Sequence, residues 1–244
     1  MRNLKLTLAY DGTHFHGWQV QPGLRTIQGE LSAALRKLFN HEVNVIGSGR
    51  TDAGVHAHGQ VATVQTIRTI DAGAVLLGAN ALLPEQIRVL RVDEAAPDFH
   101  PRRSARSKTY DYRIWREPVV SPFHRRYVYP FRYRLDEEAI DRGTACFLGS
   151  HDFTSFCATA TEAEDRVRTI FEAPWERNNP VWIFRIRGNG CLRYMVRTIA
   201  GTLLDVGRGR IRPDDIPSIF EKRDRRLAGP SLPPCGLHLI GVEY

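Results

Sequence analysis

Residues Gly47-Ser48-Gly49-Arg50-Thr51-Asp52-Ala53-Gly54-Val55-His56-Ala57-His58-Gly59-Gln60 place an arginine and a carboxylate two positions apart among four glycines. Glycine lets the backbone adopt conformations closed to other residues and lets a ligand approach it closely. A cation beside a carboxylate favours its charged form, so Arg50 next to Asp52 is an arrangement for an ionised, aimed carboxylate. The competing reading is a tight connection in which Asp52 caps a turn, a role Asp often has.

Other groups are weaker candidates. His14 with His16 and His56 with His58 are spaced i, i+2, which in a strand is one face, and Asp11 or Asp52 could complete a metal site. No His-Glu-x-x-His helix or cysteine partner accompanies either pair, so hydrogen-bonding or RNA-contacting loop histidines are the stronger reading. The four cysteines, Cys146, Cys157, Cys191 and Cys235, show no Cys-x-x-Cys spacing and read as free thiols. Gly188-Asn189-Gly190 precedes a helix bearing Arg193 and Arg197, a setting that can hold an anion, although no phosphate-loop pattern follows. Arg193 reads as part of a solvated face. Tyr110 and Tyr112 lie in a strand, where aromatics usually pack in the core. No Gly-x-Ser-x-Gly elbow and no dinucleotide fingerprint occurs.

The elements that must position these residues follow from hydrophobic periodicity. Leu4 to Asp11 predicts a strand, Thr26 opens a helix with Ile27, Leu31, Ala34, Leu35 and Leu38 inward, and Val43 to Ile46 predicts a strand. Gln60 to Thr66 is a strand, Asp71 caps a helix through Leu83, and Ile87 to Val92 is a strand. Ala95 to Ser107, with two prolines and three arginines, reads as a linker. The order then repeats: a strand over Lys108 to Trp115, an aromatic and basic loop, a helix from Asp136 to Leu148, strands over Arg166 to Trp175 and Val181 to Arg187, a helix over Leu192 to Val206, and a strand over Leu237 to Glu243. Each half spells β-α-β-β-α-β, the ferredoxin-like unit. The expectation is an α+β fold of two such halves, residues 1–105 and 106–244, with antiparallel or mixed sheets backed by helices.

The 244 residues carry a formal net charge of +7, and of the 34 basic residues all but Lys5, Lys37, Lys108 and Lys222 are arginines. Arginine offers a planar fork to phosphates and stacks on bases, which suits a nucleic-acid partner. Arg102, Arg103, Arg106, Arg125 and Arg126 are the candidate phosphate contacts, with a solvated surface as the alternative. No run is long and apolar enough to span a bilayer. Met1 to Tyr10 alternates as a strand does and lacks the apolar core of a signal peptide, so a cytoplasmic location is expected.

The chain resembles the bacterial tRNA pseudouridine synthase A (TruA) family almost end to end. The matching residues include Tyr10-Asp11-Gly12-Thr13 with Phe15, Gly17 and Trp18, and Thr26-Ile27-Gln28-Gly29-Glu30-Leu31. The most specific motif is Gly49-Arg50-Thr51-Asp52-Ala53-Gly54-Val55-His56-Ala57. Further along come Asn80 to Pro84, Phe99-His100, Ser104-Ala105, Tyr110-x-Tyr112-x-Ile114, His151-Asp152-Phe153, Met195-Val196-Arg197, Gly201-Thr202-Leu203, Ala228-Gly229-Pro230 and Gly236-Leu237. The resemblance implies isomerisation of uridine to pseudouridine in the tRNA anticodon stem-loop, at positions 38–40. It implies Asp52 as catalytic nucleophile, Tyr110 packing on the target uridine, and Arg50 and Arg197 in support. It further implies a homodimer that needs no metal or organic cofactor, with its site in a cleft between the halves. The sequence departs at Gly78-Ala79, Cys191 and Thr63, which bears on helix packing and local contacts rather than on the reaction. The alternatives are a non-catalytic RNA-binding protein and a metal-dependent hydrolase using His56, His58 and Asp52.

Overall fold

A computed structural model describes residues 1–160 and 164–244. They form two compact units, one of Met1–Arg106 with Leu239–Tyr244 and one of Ser107–His238.

The first unit runs β1 (Arg2–Tyr10), α1 (Ile27–Phe39), β2 (Val45–Gly47), β3 (His56–Thr66), α2 (Ala72–Leu82) and β4 (Ile87–Ala95). β1 lies antiparallel between β4 and β3, and β2 pairs with β3, which gives the order β4-β1-β3-β2 of a ferredoxin-like unit. Strand alternation puts Leu4, Leu6, Leu8 and Tyr10 on the buried face, and complete burial of each leucine stabilises the unit by roughly 1.5–3 kcal/mol. α1 buries Ile27, Leu31, Ala34, Leu35 and Phe39 along one side. Its entry is fixed by the Thr26 side chain accepting from the Gly29 amide, and α2 begins the same way with Asp71 accepting from Ala74. The stretch read as a linker folds onto this unit: Asn3 donates to the carbonyls of Ala96 and Phe99, and the Phe99 ring lies 4.9 Å from that of Tyr244.

The second unit runs β5 (Ser107–Trp115), β6 (Tyr129–Pro130), α3 (Glu137–Ala145), β7 (Gly149–Asp152), β8 (Val167–Glu172), β9 (Trp175–Asn178), β10 (Val181–Gly188), α4 (Met195–Gly207) and α5 (Ile216–Lys222). Its sheet follows the antiparallel order β5-β10-β8-β7, with β9 paired to β10 and β6 to β5. α4 is buried nearly all round and carries Met195, Val196, Ile199, Leu203 and Val206 inward. The rings of Phe147, Phe153, Phe156 and Phe220 fill a second cluster at centroid separations of 4.7–6.2 Å. A final strand, β11 (Leu237–Glu243), starts in the second unit, and its residues from Leu239 belong to the first.

Three expectations are corrected. The strand over Arg166 to Trp175 is two strands, β8 and β9, separated at Ala173-Pro174, because proline has no amide to continue a ladder. The helix from Asp136 ends at Ala145, and Gly149–Asp152 is an edge strand. The proline-rich stretch after α4 contains the seven-residue helix α5.

Candidate active site

The glycine-rich loop leaves β2 and enters β3. Its base is clamped by the Ser48 amide donating to the Val61 carbonyl at 2.7 Å. Asp52 opens a turn that the Val55 amide closes on the Asp52 carbonyl at 3.2 Å, with Gly54 at φ +77°. The turn proposed as the plain reading of Asp52 therefore exists, and it is made by main chain. Asp52 itself is half-buried, between buried Thr51 and exposed Ala53.

A second loop, residues 12–18, backs this one. The Trp18 amide donates to the Thr51 carbonyl at 3.0 Å and the Gly54 amide to the Phe15 carbonyl at 3.3 Å. Gly17 has φ +85°, and a Cβ there would stand 2.5 Å from the Thr51 carbonyl oxygen. Only glycine allows that approach. The Trp18 indole in turn covers Gly47. Arg50 is exposed, and its Nε donates to Gln19 Oε1 at 3.2 Å. Gln19 donates to Gln28 Oε1, and Gln28 donates to the Val45 carbonyl, which ties the loop to the start of α1. Under the loop, buried Tyr10, Ser48, Thr51 and Gln60 are joined by hydrogen bonds.

The two histidines of the loop motif do not share an environment. β3 carries one extra residue opposite β1, since Leu8 faces Gln60 and Tyr10 faces Ala57. This bulge breaks the alternation on which the same-face expectation rested. His56 is buried, with Nδ1 at 3.2 Å from Asp11 Oδ1 and from the Gly12 amide, whereas His58 is exposed, as are His14 and His16. Among the described residues no group of three or more His, Cys, Asp or Glu side chains is placed to hold a metal ion. All four cysteines are free, and burial raises each thiol, Cys191 to about 12, which keeps them protonated near neutral pH.

In the second unit, Tyr110 is buried on β5 opposite Ile186 of β10. Its register is locked one residue on, where Arg185 Nε and Nη2 donate to both carboxylate oxygens of buried Asp111 at 2.7 and 2.9 Å. Arg197 is the third residue of α4. Its Nε donates to the Leu232 carbonyl at 2.6 Å, and its guanidinium lies 4.7 Å from the Tyr194 ring centre. The Tyr112 hydroxyl donates to the neighbouring Pro233 carbonyl at 2.8 Å, and burial holds that phenol far above the ordinary tyrosine range. The segment ending in Leu232 and Pro233 reaches α4 because Gly201 and Gly229 let main chain touch main chain: a Cβ on Gly201 would stand 1.9 Å from the Pro230 carbonyl oxygen.

α4 starts at Met195, later than its sequence indicated, because Tyr194 adopts a left-handed φ of +64°. The Gly188-Asn189-Gly190 turn therefore does not open a helix, and Arg193 precedes α4 rather than sharing a face with Arg197. Arg193 is exposed and lies over Tyr194 at 4.9 Å. A left-handed tyrosine flanked by two stacked guanidiniums was not legible in advance, since nothing in its residue type marks positive φ.

A family model described as tRNA pseudouridine synthase matches residues 7–102 and 144–244. A tRNA pseudouridine synthase A of Caldicellulosiruptor bescii is 45% identical over 244 residues, covering 100% of both chains. One of Bacillus pumilus is 45% identical over 243 residues, covering 99% of this chain and 98% of that one. One of Bacillus subtilis is 46% identical over 243 residues with the same coverage.

Proposed function

The chain belongs to the tRNA pseudouridine synthase family, isomerases that act on uridine in tRNA, and from that premise we propose that Asp52 is the nucleophile. The observation that supports it most directly is the half-buried carboxylate at the head of a turn whose backbone is pinned from behind by the 12–18 loop. A carboxylate nucleophile must be held at a fixed position relative to the reacting carbon.

The reaction breaks the N1–C1′ bond of uridine, turns the uracil, and joins C5 to C1′, with the C5 proton released. The product is an isomer, so the chemistry calls for no oxidant or reductant. The target nucleotide has to leave its stack to be reached. Asp52 attacks C1′ or C6 to open the sequence of steps. Tyr110 stacks on the uracil and limits its movement while it is detached. Arg197, anchored through Leu232, keeps the Asp52 carboxylate ionised and oriented, and Arg50 stabilises the same loop. The substrate region is the anticodon arm, the enzyme acts as a homodimer in the cytoplasm, and exposed Arg102, Arg103, Arg106, Arg125 and Arg126 contact phosphates. The Asp52 loop lies in the unit of Met1–Arg106 with Leu239–Tyr244, and Tyr110 and Arg197 lie in that of Ser107–His238, so the division expected at 105/106 is corrected by the return of the last strand to the first unit.

The test is to map pseudouridine in tRNA taken from cells lacking this gene, before and after treatment with the purified protein. New pseudouridine at positions 38–40 with the native protein and none with Asp52→Asn is the expected result. Modification confined to another arm overturns the substrate region, and unchanged modification by Asp52→Asn overturns the nucleophile.

A further inference from the structure

Gln60 is wholly buried, yet it carries a primary amide into the core of the first unit. All four of its hydrogen-bonding positions are used. Nε2 donates to the Gly49 carbonyl at 3.0 Å and to the Tyr10 hydroxyl at 3.3 Å. Oε1 accepts from Ser48 Oγ at 2.7 Å and from the Val61 amide at 3.2 Å. The Tyr10 hydroxyl continues the chain to Thr51 Oγ1 at 2.9 Å. Burial pushes the Tyr10 phenol up to about 12, so it stays a neutral donor and acceptor across the physiological range.

The targets of this chain of bonds lie along one stretch of backbone. Ser48, Gly49 and Thr51 are the residues that lead into Asp52, and Thr51 is its immediate neighbour. The main-chain oxygen of Thr51 is held separately by the Trp18 amide. Thr51 is thus fixed at its side chain from below and at its carbonyl from the 12–18 loop. An apolar core here would stabilise the unit as well or better, because a buried polar chain adds definition of geometry more than net stability. The buried polar side chains of Tyr10 and Gln60, bonded to Ser48 and Thr51 of the loop, are therefore best accounted for by the aim of that loop.

We infer that Gln60, Tyr10 and Thr51 form a positioning relay that sets the direction of the Asp52 carboxylate. None of them touches the reacting atoms. The inference rests on the reading of Asp52 as nucleophile. Its signature is a loss of turnover without a loss of tRNA binding, because the phosphate contacts lie elsewhere.

The experiment measures single-turnover tritium release from tRNA labelled at uridine C5, tRNA affinity, and melting temperature for Tyr10→Phe, Thr51→Val, Thr51→Ser and the pair Tyr10→Phe/Thr51→Val. Tyr10→Phe and Thr51→Val are expected to slow turnover by about 10- to 100-fold, with affinity within about 2-fold. Thr51→Ser restores the hydroxyl and returns the rate to within about 3-fold of native. The double variant is expected to lose no more than the worse single variant, since both remove one shared bond. Melting temperature separates the relay from a purely structural role: a lower melting temperature with native turnover below it overturns the inference. So does native turnover in Tyr10→Phe and Thr51→Val together. If Tyr10→Phe does not fold, the comparison of Thr51→Val with Thr51→Ser decides alone, and equal rates for those two overturn the relay. Asp52→Asn in the same assay separates the two readings: native release from it removes the nucleophile, whereas no release from it beside native Tyr10→Phe and Thr51→Val removes only the relay.

Discussion

Gly17→Ala tests whether the 12–18 loop holds the Asp52 loop in place. The φ of +85° at Gly17 costs an alanine about 1–2 kcal/mol. The new Cβ would start 2.5 Å from the Thr51 carbonyl oxygen, so the two loops must part by about 1 Å to reach an ordinary contact. That movement strains the 3.0 Å bond from the Trp18 amide to the same oxygen, a bond worth about 1 kcal/mol. The combined loss is about 2–3 kcal/mol, a fall in melting temperature of roughly 5–10 °C for a chain of this size. Displacing Thr51 also displaces Asp52, and the rate of tritium release should fall by about 10-fold or more. Gly23→Ala is the control. Gly23 has φ +72° and no atom within 4 Å of a built Cβ, so it carries the conformational cost without the collision. Expected is a larger melting shift in Gly17→Ala than in Gly23→Ala, and slowed turnover in Gly17→Ala only. Equal melting shifts with native turnover in both would refute the idea that close backbone docking positions the loop.

Other consequences can be checked independently. Arg102→Ala/Arg103→Ala should weaken tRNA binding and reduce the slope of log affinity against log salt by up to about 2, one phosphate contact per arginine; an unchanged slope removes both from the footprint. Asp111→Ala should destabilise the protein by about 1.5–3 kcal/mol in denaturant titration, because it removes both charge-assisted bonds from Arg185, whose guanidinium keeps its bond to Glu176. For Asp152, partial burial raises the carboxyl, but the Thr154 hydroxyl and amide and the Arg223 and Arg166 charges outweigh it and hold the value below the ordinary 3.8. A depressed folded value contributes stability that is present above 3.8 and is lost as pH falls below it. The melting difference between native protein and Asp152→Asn should therefore be larger at pH 6 than at pH 3, and a difference that does not change with pH contradicts the assignment.

Local signals with a single cause were readable in the sequence. Asp71 and Asp136 cap the helices they were expected to cap, and Thr26, read as the start of a helix, caps it too, because a side-chain oxygen two or three bonds from Cα meets the first free amides. Leu4, Leu6 and Leu8 alternate into the core, and the last strand spans Leu237–Glu243 as read. What escaped depends on partners distant in sequence. Gly149–Asp152 is a four-residue edge strand whose pairing with β8 has no local mark. Ile216–Lys222 is short and contains Pro217, so breaker residues outweighed its helical character. The bulge that separates His56 from His58 arises from pairing against β1 and has no signature in the loop itself. Gln60 and Tyr10 show the same limit at the site: the motif drew attention to Arg50 and Asp52, while the bonds beneath them join residues up to 50 positions apart.

The most direct test of the account is the rate of tritium release from C5-labelled tRNA by Asp52→Asn, measured in a single turnover at saturating enzyme alongside tRNA affinity and melting temperature. Release slowed by at least about 10³-fold, with affinity and melting temperature close to native, is the expected result. A folded, tRNA-binding Asp52→Asn that releases tritium within about 10-fold of the native rate would contradict it.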